Sequence, residues 1–249
     1  GGSLSMGGHV TMHPDKQNYD ANIKITAVDW VLGNTELSTP EITTHFTSTD
    51  STVTATIDNE TLAARFDAAC NLDSLLASFS NVSTVIDTVM SQKRVHIDSI
   101  HHALPVLSLN INSGSKSIIN GFLTDSKITY KGFSVSAKND SAIHMDAQLT
   151  RLKSPSFVAD TITMSMQQQA DSLLWSMRMD NRPGTMDDFA HVKLSGDLSP
   201  TGLRASVNQK DISNKTGYKI GTFIEILDSV IYMRLTPEHP VIAYKEWSV

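Results

Sequence analysis

Apolar and polar residues alternate along most of this 249-residue chain. Successive side chains on an extended backbone point to opposite faces, so alternation of this kind predicts strands with one dry face and one wet face. Ile23 and Ile25 share such a face, as do Val53, Ala55 and Ile57. The run from Leu62 to Cys70 reads the same way. Further along come Leu107, Leu109 and Ile111; Phe133, Val135 and Ala137; and Ile143, Met145, Ala147 and Leu149. Ile162, Met164 and Met166 follow, then Leu173, Trp175, Met177 and Met179. Leu203, Ala205 and Val207, then Tyr218, Ile220, Thr222 and Ile224, and finally Ile231, Met233 and Leu235 complete the pattern. Ser, Thr, Asn, Asp, Lys or Arg hold most of the intervening positions.

One segment departs from period two. Between Leu72 and Lys93, apolar residues fall at 72, 75, 76, 79, 82, 86, 89 and 90, the spacing of an amphipathic helix. Asn71 or Asp73 can cap its start, and Lys93 and Arg94 suit the dipole at its end. Its polar face is Ser and Thr, so it is expected to gain stability by laying its apolar stripe on a sheet. A second, short helix is predicted over 116–123, ending near Thr124 and Asp125. Short Asp, Asn and Gly punctuation between strands implies antiparallel neighbours. The expected fold is therefore mostly β: one long curled antiparallel sheet, taco-like or a partly closed barrel groove, over 1–249, with a possible sub-boundary near 94–104. A sandwich or a barrel is the alternative. About fourteen strands at ~4.8 Å would span about 65 Å, and open sheets beyond ~10 strands tend to curl or split.

Composition narrows the class. Ser and Thr occupy 54 positions while charged residues make up 18%, the profile of a β-rich envelope or secreted protein. The 40% apolar content argues against disorder, and no apolar run of about 18 residues exists to cross a bilayer. The net charge of −6 arises from 20 Asp and 6 Glu against 20 Lys and Arg, which disfavours a nucleic-acid partner. With Cys70 alone, no intrachain disulfide forms, and a small buried thiol is the expected role. The chain opens Gly1-Gly2-Ser3 and stops at Trp247-Ser248-Val249 inside an apolar stretch, so a slice of a longer protein is expected. The strands near Val10 to Met12 and near Ile242 to Trp247 would then be sheet edges able to pair with another copy.

Catalytic strings are few. Ser113 and Lys116 match S-x-x-K, and Lys215-Thr216-Gly217 matches K-T-G, a pair used by penicillin-recognising serine enzymes. Ser113 ends a predicted strand and no S-D-N element accompanies it, so coincidence is the reading. His96, His101 and His102 are the closest histidines, but no ligand spacing joins them, and adjacent residues on an extended stretch face opposite ways. Asp187 and Asp188 read as turn caps. Neither an enzyme, a metal nor a cofactor is expected. The Met-rich apolar face is the feature that remains, because Met side chains repack around variable apolar ligands at little cost.

The C-terminal third carries a resemblance. The segments 189–196, 203–210 and 215–221, and above all Pro240-Val241-Ile242-Ala243-Tyr244-Lys245-Glu246-Trp247, resemble the repeat region of the TamB/AsmA-like family, the translocation and assembly module proteins of Gram-negative envelopes. The strands at 104–111 and 160–166 are similar more loosely. The resemblance implies a taco-shaped β-structure in the periplasm, tethered to the inner membrane by an N-terminal anchor outside this segment. It also implies passive transfer of phospholipid towards the outer membrane and a barrel partner there. The groove lining would be the alternating apolar residues, from Ile23, Ile25, Ala55 and Ile57 through to Ile231, Met233 and Leu235. The alternative function is a closed β-domain that docks proteins during outer-membrane protein assembly or acts as an adhesin-like spacer.

Overall fold

A computed structural model describes residues 2–13, 18–32, 35–39, 41–92, 94–124, 126–182, 190–227 and 230–248. The alternating segments form sixteen strands of one antiparallel sheet that does not close into a barrel. The N-terminal part comprises β1 (Gly2–His13), β2 (Asn18–Leu32), β3 (Thr35–Thr39), β4 (Ile42–Ser48), β5 (Val53–Asn59) and β6 (Leu62–Ala68). Two helices, α1 (Leu72–Gln92) and α2 (Ile97–Ala103), precede β7 (Leu107–Gly114), and α3 (Ile118–Thr124) precedes β8 (Gly132–Asn139). The remainder is strands: β9 (Ile143–Lys153), β10 (Val158–Gln169), β11 (Ser172–Asp180), β12 (His191–Ser199), β13 (Gly202–Lys210), β14 (Thr216–Leu227), β15 (Val230–Ile242) and β16 (Lys245–Glu246).

The strands lie side by side almost in chain order. The exception is β3, which lies end to end with β4 along the long strand β2: Leu32 to Val28 face β3, and Ile25 to Tyr19 face β4. Fifteen lateral neighbours at ~4.8 Å make the sheet about 67 Å wide. Among the described residues no second sheet covers it. The consequence shows in the surface area, 15093 Å², against about 11,000 Å² for a compact monomer of this mass.

Helices sit at the strand ends. Asn71 Oδ1 accepts a hydrogen bond from the Ser74 N–H at 2.8 Å and caps α1. Leu72 and Leu75 then join Val53, Ala68, Phe46, Phe66, Cys70 and Leu107 in a closed cluster on the sheet. Beyond that turn the expected packing fails: α1 runs beside α2 and leaves Leu76 59% and Phe79 49% exposed, with Ile86 similarly open. The chain must come back to start β7 beside β6, and a helical hairpin at the strand ends returns it without crossing the sheet. Residue 93 lies outside the described residues. His101 and His102 also differ from expectation, since they lie on α2 and not on an extended stretch. At the opposite strand end, the Ser113, Ser117 and Tyr130 hydroxyls, spaced 2.6–3.0 Å apart, anchor α3 together with Asn120, whose Oδ1 accepts from the Tyr130 N–H.

The edges are partly relocated. β1 is one edge, as expected. At the other, Val241 and Ile242 pair with Glu246 and Lys245 of β16, so this apolar stretch turns back on itself through Ala243 and Tyr244. The open edge is the rest of β15, where Ile231 and Met233 are each 69% exposed. Edge-to-edge association is therefore expected through 230–235. Light scattering over a concentration series should show dimers that Ile231→Lys suppresses; a parent protein that stays monomeric throughout would contradict this.

The start of α2 is held by a carboxylate in the β10–β11 turn. Asp171 accepts from the Asp98 N–H at 2.9 Å and pairs with His96 Nδ1 at 2.7 Å. Burial by itself would raise its pKa, but the N–H groups of Asp98 and Ile97 and the His96 ring outweigh it and hold the carboxyl below its ordinary value. A depressed carboxylate adds stability that is complete above its unfolded pKa of ~3.9 and is lost as pH falls through the folded value. Asp171→Ala should thus cost about 1–2 kcal/mol near neutrality, trimmed by solvent at this half-open site. Denaturant melts at pH 7 and at pH 3 check it: the parent–variant gap should shrink at the lower pH, and a gap that persists unchanged would refute the assignment.

Candidate functional site

Register converts the alternation into one surface. Cα partners in an antiparallel sheet share a face, and the pairing carries Ile23, Thr44, Ile57, Ala64, Ile111, Val135, Ala147, Met164, Met177, Leu194, Val207 and Ile220 in an unbroken row from β2 to β14. A parallel row carries Phe46, Ala55, Phe66, Leu109, Ala137, Met145, Met166, Trp175, Gly196, Ala205, Thr222 and Leu235. On one side of these two rows lie Phe133, Leu149, Ile162, Met179 and Val192. On the other lie Val53, Ala68, Leu107, Asn139 and Ile143, and further along Leu173, Leu198, Leu203, Ile224 and Met233. Ile25 faces Ile42, and Ile231 faces Ile226. Every residue proposed for the lining thus falls on the same face. Rows two residues apart make this dry band about 20 Å across at ~3.3 Å per residue.

The opposite face is wet. The row adjacent to the first runs Asn22, His45, Thr56, Arg65, Asn110, Ser136, Asp146, Ser165, Ser176, Ser195 and Ser206. Short links such as Ser136 to Asn110 at 2.9 Å and His144 to Asp146 at 2.7 Å lie there. The His144 ring draws the Asp146 pKa down against the burial that would raise it, and Ser165 adds to the effect.

Buried amides close the dry band at its margins. Asn139 donates to the carbonyls of His101, Leu104 and Pro105 at 3.2, 3.3 and 2.9 Å, which ties β8 to α2. The Gln168 amide accepts from the Ile143 N–H at 3.1 Å and donates to the Ala170 carbonyl at 3.1 Å. At the other margin Gln209 is buried against Gly217, where any side chain would collide with the Gln209 amide.

Local relief comes from glycine. Val192, Leu194 and Leu198 share the dry face, and Gly196 takes the position between them. A Cβ at 196 would run into the Arg204 carbonyl oxygen of β13 and stand 2.8 Å from Trp175 Cζ2, so the missing side chain serves both the close approach of β13 and the indole lying across the strand. Beside it a shallow concavity of ≈ 330 Å³ is lined by Trp175, Leu194, Ala205, Val207, Ile220 and Leu235, within the lower range of small-ligand sites. Leu149 and Leu173, visible in the alternation, lie on this face too; Leu194 and Leu198 of β12 join them although Gly196 interrupts their pattern in the sequence. A larger concavity, ≈ 550 Å³, lies around the β6–β7 ends with Thr61, Ser113, Lys116 and Thr150 on its walls; it touches the dry band at Phe133.

Other candidates do not assemble. Ser113 lies on β7 and Lys215 just before β14, seven strand spacings or about 34 Å apart. Ser113 Oγ is committed to Ser117 and Tyr130, and Lys215 Nζ sits 5.1 Å from the Tyr244 ring centroid. Burial pushes the Cys70 thiol pKa up, away from a reactive thiolate. Among the described residues no group of three His, Cys, Asp or Glu could hold a metal ion, and no helix is long and apolar enough to cross a membrane. Asp187 and Asp188 lie outside the described residues. No known family, curated protein or solved structure matches this chain.

The dry band should bind an apolar dye. ANS fluorescence with the native protein is expected to be strong, to fall several-fold with Val207→Asp or Met164→Arg, and to be unchanged by Thr163→Arg on the wet face. Burying a charge costs a few kcal/mol, so circular dichroism must show all three variants folded. Equal dye binding by all three folded variants would dissociate the dye site from this face.

Proposed function

We propose that this chain is a segment of a passive conduit for acyl chains, in which the dry band holds lipid tails while headgroups stay in solvent. The observation that carries the reading is the continuity of that band: an apolar face crossing the sheet from β2 to β15, with no second sheet upon it among the described residues. A closed sandwich would have spent this surface on its own core. The methionines at 145, 164, 166, 177, 179 and 233 suit a surface that accepts tails of differing length and unsaturation. Each methylene gains ~0.8 kcal/mol when fully buried, and a tail against one wall keeps about half, so a chain of ~14 methylenes retains on the order of 6 kcal/mol. That is enough to favour the band over water and shallow enough for a tail to slide from row to row. The resemblance to the TamB/AsmA-like family supports the same reading. It would place the segment in the periplasm of a Gram-negative envelope, serving phospholipid delivery to the outer membrane, with the anchor and the barrel contact elsewhere in a longer protein.

One observation favours a second reading. The open edge of β15, with Ile231 and Met233 bare, is suited to strand addition by another protein, as a docking domain in outer-membrane protein assembly would need. Lipid extraction separates the two. Protein purified without detergent should carry phospholipid detectable by mass spectrometry, and Val207→Asp should deplete it while Thr163→Arg leaves it in place. A folded parent that carries none and takes none up from vesicles would rule the conduit out and leave docking.

A further inference from the structure

On the wet face, four Cα partners stand in line across the last strands: Asp197 of β12, Arg204 of β13, Phe223 of β14 and Arg234 of β15. Both guanidiniums converge on the aromatic ring, with Arg204 Cζ 5.1 Å and Arg234 Cζ 5.9 Å from its centroid. A ring face attracts an exposed cation by about 0.5–1 kcal/mol, which orients both forks but neutralises neither. Asp197 is the one carboxylate among the described residues within ion-pair reach, and it stands at the limit, 4.0 Å from Arg204 Nε. The two guanidiniums thus meet one carboxylate within reach, with Glu225 one row away on the same face and outside ion-pair distance. Lys193 and Lys219 stand on the same face, four residues along β12 and β14, and extend the positive field.

The next row supplies hydroxyls. Ser206 and Thr236 flank Gly221, where the strands approach closely: a Cβ there would come within 2.8 Å of Thr236 Oγ1, 2.9 Å of the Ala205 carbonyl oxygen and 3.1 Å of Ser206 Cβ. Beside it lies a depression of ≈ 480 Å³ whose walls include Arg204, Phe223, Arg234, Ser206 and Thr236, with Asp197 at its margin. A planar carboxylate would satisfy one fork. A tetrahedral phosphate presents oxygens to two forks and to nearby hydroxyls together, and arginine's planar donor set matches it.

We propose that this depression is a binding site for a phosphate group, gripped between Arg204 and Arg234 over Phe223. It lies on the opposite side of the sheet from the dry band, so it stands independently of the conduit reading. A soluble phosphate and the phosphodiester of an anionic lipid share the required chemistry, and the position beside the open β15 edge leaves it accessible to either.

Calorimetry with inorganic phosphate and flotation with vesicles of phosphatidylcholine, with or without phosphatidylglycerol, test the site and separate the two sources. The parent is expected to bind at least one of the two anionic probes, more weakly as salt rises. Heat with phosphate alone identifies a soluble ligand; flotation only with phosphatidylglycerol identifies a headgroup. Arg234→Gln should weaken the positive probe by about tenfold, since one charge-assisted pair is lost. Arg234→Lys, which keeps the charge without the fork, should recover part of that loss, and Arg204→Gln with Arg234→Gln should abolish binding while circular dichroism stays unchanged. A parent that binds neither probe, or a folded double variant that binds as the parent does, would overturn the proposal.

Discussion

Strand register is the constraint on which the rest of this molecule depends. A slip of one residue between any two strands would move every later apolar side chain from one face to the other, and with no second sheet to bury the error the dry band would break there. Partners such as Met164 with Met177 and Leu194 with Val207 therefore do two jobs. They stabilise their own ladder, and they keep the surface continuous. Fixed points at the margins help hold that register: the hydroxyl cluster of Ser113, Ser117 and Tyr130 at one strand end, and Asn139 with its three carbonyls at the other.

Much of the sheet could be read from the chain because period two is a local signal. The strands holding Ile162 to Met166 and Leu173 to Met179 appear where alternation places them, and α1 begins at the capped Leu72. α3 starts two residues later than expected, because the Ser117 hydroxyl is drawn into the cluster before the helix starts. α2 carries no repeating signal because Ile97 to Ala103 is too short for a period of ~3.6 to repeat, and what holds it is distant in sequence: Asp171 at its start and Asn139 at its end. The direction of α1 was equally illegible. Its apolar stripe says that it wants a partner, while the positions of β6 and β7 decide where it can lie.

The same division applies to the candidate sites. Membership of the dry face follows from parity along each strand, so most of its residues are legible one by one, while Leu194 and Leu198 of β12 are not. What parity cannot show is where one strand's neighbour makes room, as Gly196 does for Trp175. Nor can it show convergence across strands: Arg204, Phe223 and Arg234 are separated by ten or more positions in sequence and come together only through the ladders of β13, β14 and β15. The open edge was displaced for a related reason, since Lys245 and Glu246 fold back onto Val241 and Ile242.

The order of the strands has a further consequence. Apart from β3 beside β2 and the helical insertions, each strand is bonded to its immediate predecessor and successor in the chain. Energetically such an array is close to one-dimensional, each unit answering only to its neighbours, and its contacts are local enough to form by successive addition. Length in this architecture is therefore an adjustable quantity. A hairpin added or deleted in the middle would shorten or lengthen the span by two strand spacings without disturbing the strands on either side, and a chain delivered end first could build itself outward from whichever hairpin emerges earliest.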